Sequence, residues 1–125
     1  MIGWWIVVST QAPEERDRAD QEVRRAAILA QWEVGLGGIE WLAQLVQAGK
    51  AAQLSGSGYP NRYTASAGDV LPLLAGGPPS HTGPAIIGDD YVMPANWRGK
   101  IELHADSLAA CPVGHVLTID AWDQS

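Results

Sequence analysis

Residues 4–10, Trp-Trp-Ile-Val-Val-Ser-Thr, constrain this chain more than any other stretch. They are aromatic or β-branched almost throughout, which suits a pleated strand. An extended backbone sends alternate side chains to opposite faces, and here both faces are apolar. A strand with one side in water would show a polar face. This one reads as a central strand covered on both sides. A helix would need a longer periodic run.

The chain has the means to flank and cover such a strand. Its 125 residues and 46% hydrophobic content can bury a core as a single domain, 1–125. There is no Phe, so six Trp and three Tyr supply the large core pieces. Each brings an N–H or O–H that needs a partner when buried. Only Lys50 and Lys100 are lysines, and the preference for arginine, alanine and glycine fits GC-rich coding and a bacterial or phage source.

Charge excludes several functions. The formal net charge is −6, which argues against an electrostatic grip on nucleic acid or anionic lipid. The acids are not gathered in one dense stripe, so nucleic-acid mimicry is not expected either. The single Cys111 excludes an internal disulfide and a zinc site of several cysteines. Met1–Val8 lacks a basic flank, and no run approaches the roughly 20 apolar residues of a membrane span. A cytoplasmic protein without membrane contact is expected.

Pro13 suits a first helical turn, with Glu14, Glu15 and Asp17 at the positive end of the dipole. Glu14 with Arg18, and Asp20 with Arg24, stand at i,i+4 in the favoured order. Residues 14–25 form either one helix or a short turn followed by a helix capped at Asp20, and their charges read as a solvated face. Val23, Ala26, Ala27, Ala30 and Val34 share a face at helical spacing, which predicts a helix over 23–34. Gly35-Leu36-Gly37-Gly38 then breaks it. That run lacks the last glycine of a phosphate loop and follows a predicted helix, so it reads as punctuation. A second helix is predicted over 39–48, with Gly49 just past its end.

Beyond it, strands are expected at 51–54, 62–67, 91–93, 100–104 and 116–123, with Tyr63 and Ala65 sharing a face. Residues 68–74 fit an edge strand or a short helix, and Asp106 fits the cap of a short helix through Ala110. Turns are expected at 55–61, 76–84 and 88–90. The sum is an α+β fold: a four- or five-stranded, mainly antiparallel sheet with two main helices on one face. A ferredoxin-like split βαβ layout is compatible with this order.

Function is read from what this layout leaves over. Ile28 and Trp32 on the first predicted helix, and Trp41 and Leu45 on the second, exceed the apolar surface that one sheet contact hides. They predict an interface, hence a non-catalytic protein-binding module that pairs with itself or with another protein. A second reading is a small enzyme or ligand binder whose pocket uses aromatics such as Trp5 or Tyr63 with Arg62 or a histidine. A third is a mobile-element protein that neutralises a protein partner. Tyr59, Arg62 and Tyr63 beside a Gly/Ser turn, together with Trp97, are the candidate contact residues.

His104, Asp106, Cys111 and His115 are zinc-ligand types within one short stretch, but nothing in the elements expected there requires them to converge, and no metal or cofactor is expected. Cys111 follows a predicted helix end, where the dipole disfavours a thiolate nucleophile. Adjacent Asp89 and Asp90 read as a turn, and His81 lies in an irregular loop.

Overall fold

A computed structural model describes residues 3–80, 86–87, 92–93 and 97–124. The chain runs β1 (Trp4–Ser9), α1 (Pro13–Arg18), α2 (Gln21–Ala26), β2 (Ile28–Val34), α3 (Glu40–Gln47), β3 (Ala51–Gly56), β4 (Asn61–Ser66), α4 (Ala67–Leu74), β5 (Ile86–Ile87), β6 (Val92–Met93), β7 (Arg98–Leu103), α5 (Ala105–Ala110) and β8 (Val116–Asp123). Among the described residues the main sheet has six strands in the order β3-β4-β8-β1-β2-β7, and β5 pairs with β6. Every neighbouring pair is antiparallel.

The fold is therefore α+β, with more strands than the four or five expected. In a split βαβ unit a helix joins two strands that flank a single third strand. Among the described strands α3 joins β2 to β3, which have β1, β8 and β4 between them, so the ferredoxin-like layout is not matched. No helix among the described residues is long and apolar enough to cross a membrane.

β1 is central, between β8 and β2, and both its faces are covered. Ile6 and Val8 enter the main core, while Val7 and Ser9 are buried on the opposite face. The core side is covered by α3 through Trp41, Leu42 and Leu45, and by α4 through Val70 and Leu74. Helices α1 and α2 lie over the other face, so the helices are not confined to one side.

The largest correction concerns 23–34. The helix stops at Ala26, and Ile28–Val34 is a strand paired with both β1 and β7. Alternation explains it: Ala30, Trp32 and Val34 enter the core, while Gln31 and Glu33 take the other face. Helical spacing was equally present because alanine suits either period. The strand wins through its pairing on both edges, with β1 and with β7, and the burial of Trp32.

The interface expected at Ile28, Trp32, Trp41 and Leu45 loses its basis at the same point. All four are buried within the one chain, and the Trp32 and Trp41 rings stand 6.1 Å apart.

Gly35-Leu36-Gly37-Gly38 thus follows a strand and leads into α3. Its glycines serve packing: a Cβ at Gly38 would fall 2.1 Å from Val34 Cγ2. Helix α3 ends as expected, with Gly49 at φ 74 and its N–H, with that of Lys50, donating to the carbonyls of Val46 and Leu45. Helix α2 is capped by Asp20, which accepts from the Val23 N–H at 2.9 Å. Asp106 is not a cap but lies in the first turn of α5, behind His104.

Candidate functional site

The face of the sheet away from the main core builds two cross-strand rows. Strand register places Arg62, Asp120, Val7, Gln31 and Glu102 side by side across β4, β8, β1, β2 and β7. The adjacent row runs Trp122, Trp5, Glu33. Trp5 is 38% exposed, unusual for an indole on a central strand, because α1 and α2 cover only the far end of this face.

The near end is a cleft of about 520 Å³. Trp5, Trp122, Gln31, Ile28 and Glu102 line it from the sheet, Arg16 from α1, and Gln21, Arg24 and Arg25 from α2. His104 closes it at the end of β7.

A buried ion network fixes the cleft's inner wall. Asp120 is almost fully enclosed and accepts from Arg16 Nε at 2.9 Å and from Arg62 Nε at 2.7 Å. The outer end of Arg62 reaches both carboxylate oxygens of Asp17 at 2.9 Å. Asp120 holds the Arg62 guanidinium above its ordinary pKa, and Asp17 adds to this against the opposing effect of burial. The acids and arginines of 14–25 are thus not all a solvated face, since Arg16 is buried against a strand and Asp17 ties α1 to β4. Arg24 anchors the α1–α2 turn by donating to the carbonyls of Arg16 and Asp17 at 2.6 and 2.9 Å.

Positive charge is concentrated here. Among the described residues three arginines line the cleft against one carboxylate, Glu102, in a chain of net charge −6. Neither Arg24 nor Arg25 makes a close ion pair among the described residues, although Arg25 lies near enough to Glu102 to favour its charged form. Two donors of the lining residues, Arg16 Nη1 and Trp122 Nε1, are buried without a hydrogen-bond partner among the described residues. Such groups cost free energy until something accepts from them.

At the opposite wall His104 Nε2 stands 3.3 Å from Glu102 Oε1. Gln31 Nε2 donates to the other oxygen of Glu102. The Gln31 hydrogen bond, followed by that of His104, pulls the Glu102 carboxyl below its usual range.

The residues proposed from sequence do not converge. Tyr63 lies in the core on the far side of the sheet, and burial pushes its phenol up against a smaller opposing effect from Asn61. Arg62 is spent on Asp120 and Asp17. Tyr59 sits exposed in the turn before β4, and Trp97 folds its indole over Gly99 at the start of β7.

Among the described residues no three of His, Cys, Asp and Glu gather to hold a metal. His115 Nε2 donates to the Thr10 carbonyl at 2.6 Å, Cys111 is partly buried with its thiol pushed up by burial, and Asp106 is exposed. His81, Asp89 and Asp90 lie outside the described residues. Of the residues singled out from sequence, His104, Ile28 and Trp5 line the cleft. Arg16, Arg24 and Arg25 carried no signal, because a mixed-charge helix looks the same whether it faces water or a cavity. Comparison with protein-family models, with curated proteins and with solved structures finds no match to this chain.

Proposed function

We propose that this chain binds a small organic anion with a planar body in the cleft between α2 and the sheet. One observation carries the reading: Arg16, Arg24 and Arg25 meet Trp5 and Trp122 around one cavity in an otherwise acidic chain. Guanidinium groups recognise carboxylate or phosphate through charge-assisted, geometrically defined hydrogen bonds. Indoles offer flat faces to an aromatic body at little entropic cost. A cleft of about 520 Å³ is of the size that small ligands occupy. The self-association reading draws no such support, since the side chains that prompted it lie inside the chain.

The His104–Glu102 contact favours a catalytic extension of the same reading. A histidine oriented by a carboxylate at the wall of a binding cleft can pass a proton to or from a bound ligand.

Isothermal titration with benzoate and phenyl phosphate tests the binding. Micromolar to low-millimolar affinity is expected, about −8 to −4 kcal/mol, with quenching of tryptophan fluorescence. Arg25→Ala should weaken binding about tenfold or more while the circular dichroism spectrum stays the same. Absence of any heat or quenching at millimolar concentrations of both compounds would overturn the proposal.

A further inference from the structure

A second basin of about 330 Å³ opens beside the first, lined by Trp5, Gln31, Glu33, Lys100 and Glu102. Trp5, Gln31 and Glu102 belong to both basins, so the two form one trough with Trp5 between them. Its two halves differ in sign. The first is walled by arginines, whereas the second has, among the described residues, two carboxylates against one ammonium.

Glu33 is the unusual member. It is 6% exposed, and its Oε2 has no hydrogen-bond partner among the described residues. A buried carboxylate oxygen without a donor is costly, and the cost falls when a cation or N–H meets it. The pairing it does have is weak: Lys100 Nζ stands 3.2 Å from Oε1 on a side chain that is 80% exposed. Ion pairs with such a solvated partner contribute little and exchange readily. Lys100 also takes φ 46, a left-handed backbone that non-glycine residues adopt at a cost.

We infer that the trough holds a zwitterion, with its carboxylate or phosphate among Arg16, Arg24 and Arg25, its body across Trp5, and a primary ammonium at Glu33 and Glu102. This rests on the anion-binding reading above and adds the second charge. The ligand's ammonium displaces Lys100 and supplies the donor that Glu33 lacks. Register makes the two ends compatible, because Trp5 and Glu33 are direct cross-strand partners.

Titration of the intact chain with benzoate, benzylamine, 4-(aminomethyl)benzoate and 4-(2-aminoethyl)benzoate tests this. At least one of the two zwitterions should bind about tenfold or more tightly than benzoate. Glu33→Gln should erase that advantage. Lys100→Met, at an exposed side chain, should tighten the zwitterion several-fold by removing its competitor, an effect that a merely structural lysine would not produce. Should benzoate bind while neither zwitterion binds better, the second charge is wrong and the anion site stands. If none of the four compounds binds, the zwitterion site falls, and the anion reading falls with it when phenyl phosphate also fails to bind. Weaker zwitterion binding in Lys100→Met would also overturn the ammonium subsite.

Discussion

Arg62 and Asp120 are register partners on β4 and β8, and the arginine's Nε and Nη2 meet the two carboxylate oxygens at 2.7 and 3.1 Å. Arg16 approaches the same carboxylate from α1 at 2.9 Å. With Asp120 almost wholly removed from water, the arrangement holds because two cations and several hydrogen bonds offset desolvation. Asp120→Asn keeps the shape but leaves two guanidiniums facing a neutral amide. A loss of about 3–5 kcal/mol is expected, seen as a lower urea midpoint at unchanged slope. A loss below about 1 kcal/mol would mean that the network contributes little.

Arg62→Ala should act on stability rather than on ligand affinity. Arg62 does not line the cleft, and its hydrogen bonds go to Asp120 and Asp17. Its outer contact, to the largely exposed Asp17, is screened, so the expected loss is somewhat smaller, about 2–4 kcal/mol. Thermal melting together with benzoate titration separates the two effects. A normal melting temperature with lost binding would move Arg62 back to the site.

Gly38→Ala inserts a methyl group where Val34 Cγ2 and Cβ already stand, at 2.1 and 2.3 Å. The β2–α3 turn must open to admit it, at about 1–3 kcal/mol. Gly38 also offers its carbonyl to Trp41 Nε1 at 3.1 Å, so a changed near-ultraviolet tryptophan signal should accompany the loss.

Trp32→Ala should cost about 3–5 kcal/mol, because the indole is fully buried and packs beside Trp41. An interface tryptophan would instead leave the stability of an isolated chain nearly unchanged while altering its sedimentation. Denaturation and sedimentation of the same variant therefore decide where this side chain acts.

Stability is expected to fall at alkaline pH through Tyr63. Burial is the main cause of its raised pKa, so the folded chain disfavours the phenolate relative to the unfolded one. Its contribution is fully present below the ordinary tyrosine value of about 10 and is lost as pH rises through the folded value. Tyr63→Phe should flatten that decline when urea midpoints are compared between pH 8 and 11. An unchanged slope would show that Tyr63 ionises alike in the folded and unfolded chain.

Much of the sheet was legible because its signals are local. β1, β3, β4, β7 and β8 fall close to the runs predicted from β-branched residues, alternation and turns. The end of α3 followed from Gly49, and Asp20 marked the start of α2 in one of the two readings open for residues 14–25. What escaped depends on distant partners. Residues 28–34 satisfy both a helical and a strand period, and only pairing with β1 and β7 separates them. The network around Asp120 joins Arg16 to a residue 104 positions away, and no spacing within either segment announces it. The cleft was half visible, in Trp5 and His104. Its arginines were read as solvated because the far wall is a strand that the helix period had concealed.

The same long separation shapes how the chain can reach its structure. β1 gains one neighbour, β2, soon after synthesis, but its other neighbour is β8, near the opposite end of the sequence. During translation the first hairpin must wait with one ladder of N–H and C=O groups unpaired and with Arg16 lacking Asp120. Assembly of the sheet's middle is therefore a late event, controlled by closure of a very long loop. A ribosome paused before residue 116 would hold a nascent chain with a sticky open edge, which gives chaperones a defined window in which to act.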